Sequence, residues 1–158
     1  MSYVPPAVSV ADFVVASNLD RLTATARLAL TPDLIPDSLK SLPQWTCWRY
    51  RDKGKGKPDK PPINARTGGN ALSNNPATWS SFEVALNRFN SDPTVAGLNF
   101  ILKPADLIVA LDIDDYGNPP DPDAVAALGM FTGTYAERSP SGGLHIFCLL
   151  YTSPSPRD

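Results

Sequence analysis

The chain has 158 residues, of which 42% are hydrophobic, and a formal net charge of −2. This length and composition suit one globular domain with a buried hydrophobic core. Because the net charge is slightly negative, the chain is not expected to attract nucleic acid through its overall charge. The apolar runs are too short to cross a bilayer, and no secretory signal is recognisable, so no membrane contact is expected. The chain has two cysteines, Cys47 and Cys148. Because Cys148 lies in the last eleven residues, which are expected to be foreign to the protein, no internal disulfide is expected, which suits a reducing cytoplasm.

The first 36 residues are predicted to form a leader that is helical or partly disordered. Residues 11–30 carry apolar side chains near helical spacing, and Pro32 ends this pattern. A helix with one apolar face packs on the domain or binds a partner, and the sequence leaves both alternatives open.

A predicted strand and a basic segment follow. Residues 44–50 are rich in aromatic and β-favouring side chains, which predicts a strand. Residues 49–66, called the basic loop below, contain seven Lys and Arg residues against two Asp. Such a loop suits the phosphates of a polynucleotide, and a solvated lysine-rich hairpin tip is the alternative. The candidate phosphate contacts are Lys55, Lys57, Lys60 and Arg66.

The central elements are predicted from apolar patterns and capping residues. Residues 76–89 are predicted to form a helix with Thr78 as its N-cap. Residues 98–102 and 107–113 are predicted to be strands joined as a hairpin. Base stacking is one possible role for three tryptophans, but their apolar neighbours favour core packing; they are Trp45, Trp48 and Trp79.

The last elements complete the predicted fold class. Residues 122–130 are predicted to form a short helix, and residues 135–138 and 144–147 are predicted to be strands on either side of a Ser/Gly turn. Helices and strands alternate irregularly, so the sequence predicts an α+β domain with a mixed or antiparallel sheet. A doubly wound nucleotide fold is excluded because no Gly-rich turn follows the first strand.

Two carboxylates stand at the end of one predicted strand. Asp112 and Asp114 alternate with apolar Leu111 and Ile113, so both carboxylates point from the same face. Paired carboxylates repel each other unless a cation lies between them, and Mg²⁺ or Mn²⁺ prefers oxygen ligands of this kind. A solvated strand end is the alternative. Asp115 lies on the opposite face by parity and is not expected to be a ligand.

The Ser/Gly turn leads to the only histidine of the chain, His145. Ser141 and His145 can donate hydrogen bonds to phosphate oxygens, and Gly142 and Gly143 let a phosphate approach the backbone closely. An ordinary loop with a structural histidine is the alternative. A metal site beside a phosphate site suggests nucleotide chemistry.

The order of these segments resembles the archaeo-eukaryotic primase superfamily, in the primase-polymerase branch found in replication proteins of phages and plasmids. The similarity rests on the acidic strand with Asp112, on the Ser-Gly-Gly-x-His motif that ends at His145, and on four further blocks. It covers residues 39–147, and the further blocks are residues 39–49, 57–68, 75–85 and 97–102.

The resemblance implies a primase-type catalytic core with an RRM-like sheet over residues 37–147, which performs template-directed nucleotidyl transfer with Mg²⁺ or Mn²⁺. Asp112 and Asp114 would ligate the metal. The residues that would hold the incoming nucleoside triphosphate are Ser141, Gly142, Gly143 and His145, with His145 also counted as catalytic. The implied partners are a single-stranded DNA template and a downstream helicase module, in a bacterial or phage-infected cell.

The C-terminal segment, residues 148–158, is expected to be foreign to the protein. Its eleven residues read, letter for letter, as one frame of a transposase-type sequencing adapter, so the natural sequence and its last strand are expected to end at Phe147. A Pro/Ser-rich linker is the alternative. The third acidic motif of the family would then be missing, so the domain is expected to be C-terminally incomplete and the chain inactive.

Three other functions fit parts of the pattern. A non-catalytic module that holds single-stranded DNA through the basic loop would bind with a steep salt dependence and no need for a divalent ion. A phosphohydrolase with Asp112 as nucleophile usually has Thr or Val where Tyr116 stands, and it leaves the Ser-Gly-Gly-x-His motif without a role. A glycosyltransferase Asp-x-Asp site leaves the basic loop unexplained.

Overall fold

The computed structural model describes residues 30–54, 56–113, 122–129, 134–139 and 143–149. The described residues form two compact units, which divide between Ile101 and Leu102. The helices and strands are α1 (Asp37–Lys40), β1 (Trp45–Trp48), β2 (Pro62–Ile63), α2 (Phe82–Ser91), β3 (Gly97–Phe100), β4 (Ile108–Ile113), α3 (Pro122–Gly129), β5 (Tyr135–Arg138) and β6 (Leu144–Leu149). The predicted α+β class is confirmed, and the described strands pair antiparallel.

The first unit is built around β1, the central strand of a sheet with the order β2-β1-β3. All four β1 residues are buried. The Trp45 ring meets Phe82 and Phe100 edge-on, at centroid distances of 5.0 and 5.1 Å. Its Nε1 donates a hydrogen bond to the Leu39 carbonyl. The prediction that the tryptophans pack in the core is confirmed, because all three are buried: Trp45, Trp48 and Trp79.

The predicted helix over residues 76–89 starts later than expected. Pro76–Thr78 is a 3₁₀ turn, and α2 begins at Phe82 with Ser81 as its N-cap. The prediction of Thr78 as N-cap was wrong, since its hydroxyl donates to the Asn75 carbonyl of the turn. The cause of the late start is backbone pairing: the Ser80 N–H donates to the Trp45 carbonyl at 2.8 Å, which holds the chain extended before α2.

The predicted hairpin between residues 98–102 and 107–113 was wrong, although both strands exist. β3 pairs with β1, and β4 pairs with β6. The connection is a 3₁₀ turn, Pro104–Asp106, followed by Leu107 in the left-handed region with φ of 51°. The β3 ladder is continued by the Ile101 N–H, which donates to the Gln44 carbonyl at 2.8 Å. Non-local pairing with β1 therefore replaces the local hairpin.

The second unit contains a sheet with the order β4-β6-β5. The strand predictions over residues 107–113 and 135–138 and the helix prediction near residues 122–130 are confirmed to within one residue. β6 continues two residues past its predicted end at Phe147, because Cys148 pairs with Val109 and Leu149 with Ile108. The predicted strand end was therefore wrong, while the origin of residues 148–158 stays a prediction.

Several predictions fall on residues that the structure does not describe. These are the leader helix up to residue 29, residues 140–142 of the Ser/Gly turn and the tail from residue 150. The limits of a single catalytic domain over residues 37–147 stay a prediction. Within the described ranges, no helix combines the length and the apolar character needed to span a bilayer.

Candidate functional site

A row of three polar side chains crosses the second sheet from edge to edge. Asp112 on β4 pairs with His145 on β6, and His145 pairs with Glu137 on β5. Residues directly opposite each other on antiparallel strands point to the same face, so the three side chains form one line, called the Asp–His–Glu row below. The His145 Nδ1 lies 3.2 Å from the Glu137 Oε1, and its Nε2 lies 3.6 Å from the Asp112 Oδ1.

The row is accessible to a ligand and rests on an apolar core. The side chain of Asp112 is 66% exposed, that of Glu137 42% and that of His145 31%. The alternate residues of β6, Leu144 and Ile146, are buried in an apolar cluster. Because strand residues alternate between faces, the core lies under the row and supports it. A ligand can therefore reach the row without displacing packed side chains.

Tyr135 extends the row along β5. Its hydroxyl donates a hydrogen bond to the Glu137 Oε2 at 2.9 Å. Burial, with a further contribution from the charge of Glu137, raises the pKa of the Tyr135 phenol, so the hydroxyl keeps its proton at neutral pH. The Tyr135 ring also packs beside Phe147 at a centroid distance of 5.7 Å. Glu137 is therefore held between a phenol and an imidazole.

The turn before His145 is closed by Ser139 and Gly143. The Ser139 N–H donates to the Gly143 carbonyl at 2.9 Å, and the Gly143 N–H donates to the Ser139 Oγ at 3.0 Å. A Cβ on Gly143 would lie 2.6 Å from the carbonyl oxygen of Ile113. The close approach of β4 therefore requires glycine here. A role for Gly143 in admitting a triphosphate stays a prediction.

Gly143→Ala is expected to lower the free energy of unfolding by about 1–3 kcal/mol, the usual cost of overpacking. The added methyl group would push against the Ile113 carbonyl, which belongs to backbone and cannot rotate away. Urea denaturation followed by circular dichroism measures the change. Gly129→Ala is the control, because a Cβ there meets no atom within 4 Å among the described residues outside its own helix. Equal unfolding midpoints for the two variants would contradict the packing argument.

The structure brings together three of the residues predicted from the sequence: Asp112, Gly143 and His145. The other predicted site residues of this unit lie outside the described residues; they are Asp114, Ser141 and Gly142. Within the described ranges, no three His, Cys, Asp or Glu side chains could hold a metal ion together. Asp112 and Glu137 face different nitrogens of the His145 ring, which explains why the row itself is not such a group.

The donor chemistry at Asp112 nevertheless fits a divalent ion. Its carboxylate is the most exposed group of the row and offers the hard oxygen ligands that Mg²⁺ and Mn²⁺ prefer. One carboxylate is not a complete ligand set. The predicted set therefore still depends on Asp114.

Sequence reasoning missed Glu137, although a signal was present. In an antiparallel hairpin, residues equally far from the closing pair stand opposite each other. Counting two residues outward from Ser139 and Gly143 leads to Glu137 and His145. The spacing of the Ser/Gly turn could therefore have placed a carboxylate beside the histidine.

The basic loop lies in the first unit, and its predicted phosphate contacts differ in their surroundings. Lys57 is exposed, whereas the Lys60 Nζ lies 5.8 Å from the centroid of the Trp48 ring. Burial, with a smaller contribution from the charge of Lys57, lowers the pKa of the Lys60 ammonium. The Arg66 guanidinium donates to the Trp79 carbonyl. Lys55 lies outside the described residues.

Two further basic residues of the loop share one acidic partner. Arg51 and Lys53 both form ion pairs with Asp59, and the hydrogen bond from Arg51 is the main reason why the pKa of Asp59 is lowered. Arg51 and Asp59 also exchange backbone hydrogen bonds, which close the loop at its base. Of the predicted contacts in the described part of the loop, Lys57 is the most open to a phosphate.

No family model matches the chain, and a search of curated proteins gives no match.

Proposed function

We propose that the chain carries the metal- and nucleotide-binding face of a DNA primase-polymerase, an enzyme of template-directed nucleotidyl transfer. The observation that supports this proposal is the pairing of Asp112 with His145 across β4 and β6. The two motifs are distant in the sequence, and the resemblance predicted that one binds metal and the other triphosphate. Their side chains stand 3.6 Å apart on an exposed sheet face.

Each residue of the proposed site has one task. Asp112, with Asp114, would hold Mg²⁺ or Mn²⁺, which neutralises the triphosphate and activates the attacking 3′-hydroxyl when bound. Ser141 would donate a hydrogen bond to a phosphate oxygen, and His145 would contact the same triphosphate and so help to orient the nucleotide.

The template is assigned to the basic loop. The side chains that would contact the phosphates of single-stranded DNA are Lys55, Lys57, Lys60 and Arg66, which attract the backbone without reading sequence. A helicase module downstream in the same protein stays a prediction of the resemblance.

Asp112→Asn is expected to reduce Mn²⁺-dependent binding of a nucleoside triphosphate by about tenfold or more, or roughly 1.4 kcal/mol. The substitution keeps the side-chain volume and removes the charge that attracts the ion. Isothermal titration of the chain with a triphosphate, with Mn²⁺ and then with EDTA, measures the difference. Paramagnetic resonance of Mn²⁺ reports metal binding separately.

The matched control is Asp123→Asn, which removes an exposed carboxylate of the same unit, in the first turn of α3. It is expected to bind like the wild type. Indistinguishable triphosphate affinities for the wild type and Asp112→Asn, both in Mn²⁺, would refute the assignment of Asp112.

A non-catalytic module for single-stranded DNA is the second candidate, and the exposed Lys57 of the basic loop favours it. Such a module predicts DNA binding in EDTA, with affinity falling steeply as salt increases. Fluorescence anisotropy of a labelled oligonucleotide tests this on the same preparation. Salt-sensitive DNA binding without any metal-dependent triphosphate binding would favour the module over the enzyme.

A further inference from the structure

His145 faces a carboxylate at each of its ring nitrogens, and the two distances differ. The Nδ1 lies 3.2 Å from the Glu137 Oε1, within reach of a hydrogen bond, while the Nε2 lies 3.6 Å from the Asp112 Oδ1, beyond that reach. A neutral imidazole carries one N–H, and an ionised carboxylate can only accept. The geometry therefore favours the proton at Nδ1, facing Glu137.

We propose that Glu137 is a positioning residue that accepts the Nδ1–H of His145 and thereby fixes the tautomer and orientation of the ring. This inference rests on the proposed function, which places Asp112 and His145 in the site. A carboxylate that accepts a hydrogen bond from one imidazole N–H fixes which ring nitrogen faces the ligand. In this sheet, the nitrogen turned toward Asp112 is Nε2.

The tautomer matters because the neutral ring has a single N–H, which can face either Asp112 or Glu137. If the neutral ring carried its proton at Nε2, that N–H would face Asp112, and a shift of either side chain by a few tenths of an ångström would let it donate to the carboxylate. The hydrogen bond would then compete with a metal ion for one of the carboxylate oxygens. By holding the proton at Nδ1, Glu137 leaves Asp112 available as a ligand.

Tyr135 fixes Glu137 in turn. Its hydroxyl donates to Oε2, which directs the other carboxylate oxygen, Oε1, toward His145. The pairing of Glu137 with His145 across β5 and β6 sets the backbone separation, so the contact does not depend on a flexible loop. Three side chains from two strands thus act as one hydrogen-bonded unit.

The test uses the fact that the chain has only one histidine. Long-range proton–nitrogen NMR of the ¹⁵N-labelled chain, at a pH where the ring is neutral, gives one pair of imidazole resonances. The wild type is expected to show the tautomer protonated at Nδ1. Glu137→Gln is expected to keep it because the amide oxygen also accepts, whereas Glu137→Leu is expected to move most of the proton to Nε2.

The same variants are then titrated with Mn²⁺ and a nucleoside triphosphate. Glu137→Leu is expected to bind the triphosphate about tenfold more weakly, and Glu137→Gln is expected to bind it like the wild type. A merely structural role of the carboxylate would not produce this difference between the two variants. Tyr135→Phe is expected to move part of the proton to Nε2 because Glu137 loses its second hydrogen bond.

The outcomes separate this inference from the proposed function. A wild-type ring protonated mainly at Nε2 overturns the positioning role, and this result needs no variant to fold. A Glu137→Leu ring that keeps its proton at Nδ1 also overturns it. The expected tautomers without triphosphate binding in any variant would support the role of Glu137 and contradict the primase-polymerase proposal.

Discussion

Trp45→Ala is expected to lower the free energy of unfolding by about 3–5 kcal/mol, the range for removing a large aromatic side chain from a core. The ring is only 4% exposed and packs edge-on against Phe82 and Phe100. Its removal also leaves the Leu39 carbonyl without the indole donor. Since a domain is typically stable by about 5–15 kcal/mol, this loss is a large share of the total.

Urea denaturation followed by far-ultraviolet circular dichroism measures this effect. Leu72→Ala is the control, because Leu72 is 53% exposed and its truncation leaves no buried cavity. The experiment also decides between core packing and base stacking for Trp45. A Trp45→Ala variant with unchanged stability and weaker binding to single-stranded DNA would contradict the buried position and favour stacking.

The sequence predicted strands well where the apolar pattern was local, and it predicted their partners poorly. Alternation around Asp112 located β4, and aromatic content located β1. The partners depended on hydrogen bonds between residues far apart in the chain, such as the pairing of Gly97 with Trp48. Sequence spacing favours short connections, so it indicates β3, the nearest strand in the chain, as the partner of β4.

The start of α2 shows the same limit of prediction from local sequence. A threonine ahead of a run with helical apolar spacing is a reasonable N-cap signal, but Pro76–Thr78 forms only a 3₁₀ turn. The backbone of Ser80 then bonds to Trp45, which delays the helix until Ser81 provides a cap. Tertiary pairing overrode a correct local preference.

The candidate site also had one part that local pattern predicted and one part that depended on strand pairing. Parity placed Asp112 on the face opposite Leu111 and Ile113 because alternation is a property of any strand. Glu137 required the register between β5 and β6, which depends on how the Ser/Gly turn closes. That register follows from the pairing of Ser139 with Gly143; the spacing of the turn allows this closing pair but does not by itself select it over the neighbouring pairs. The row became visible only when three strands were aligned.

Ile146→Ala is expected to lower the free energy of unfolding by about 2–5 kcal/mol, the range for truncating a buried aliphatic side chain. Ile146 is fully buried at 0% exposure, and the partly buried Leu111 and Ala136 on the neighbouring strands pack in the same cluster. Ile146→Val removes one methylene and should cost only about 0.5–1.5 kcal/mol. Val109→Ala, at a position 38% exposed, is the control for truncation outside the buried core.

This substitution also tests how the site depends on the core. Ile146 follows His145 directly on β6, so the cavity would open on the opposite face of the same strand. We expect the imidazole resonances of His145 to broaden or shift in Ile146→Ala and to stay in place in Ile146→Val. Because the Asp–His–Glu row rests on the side chains beneath the sheet, loss of packing should lengthen its contacts before the sheet unfolds. Unchanged resonances together with a large loss of stability would show that the row is held by its own hydrogen bonds rather than by the core.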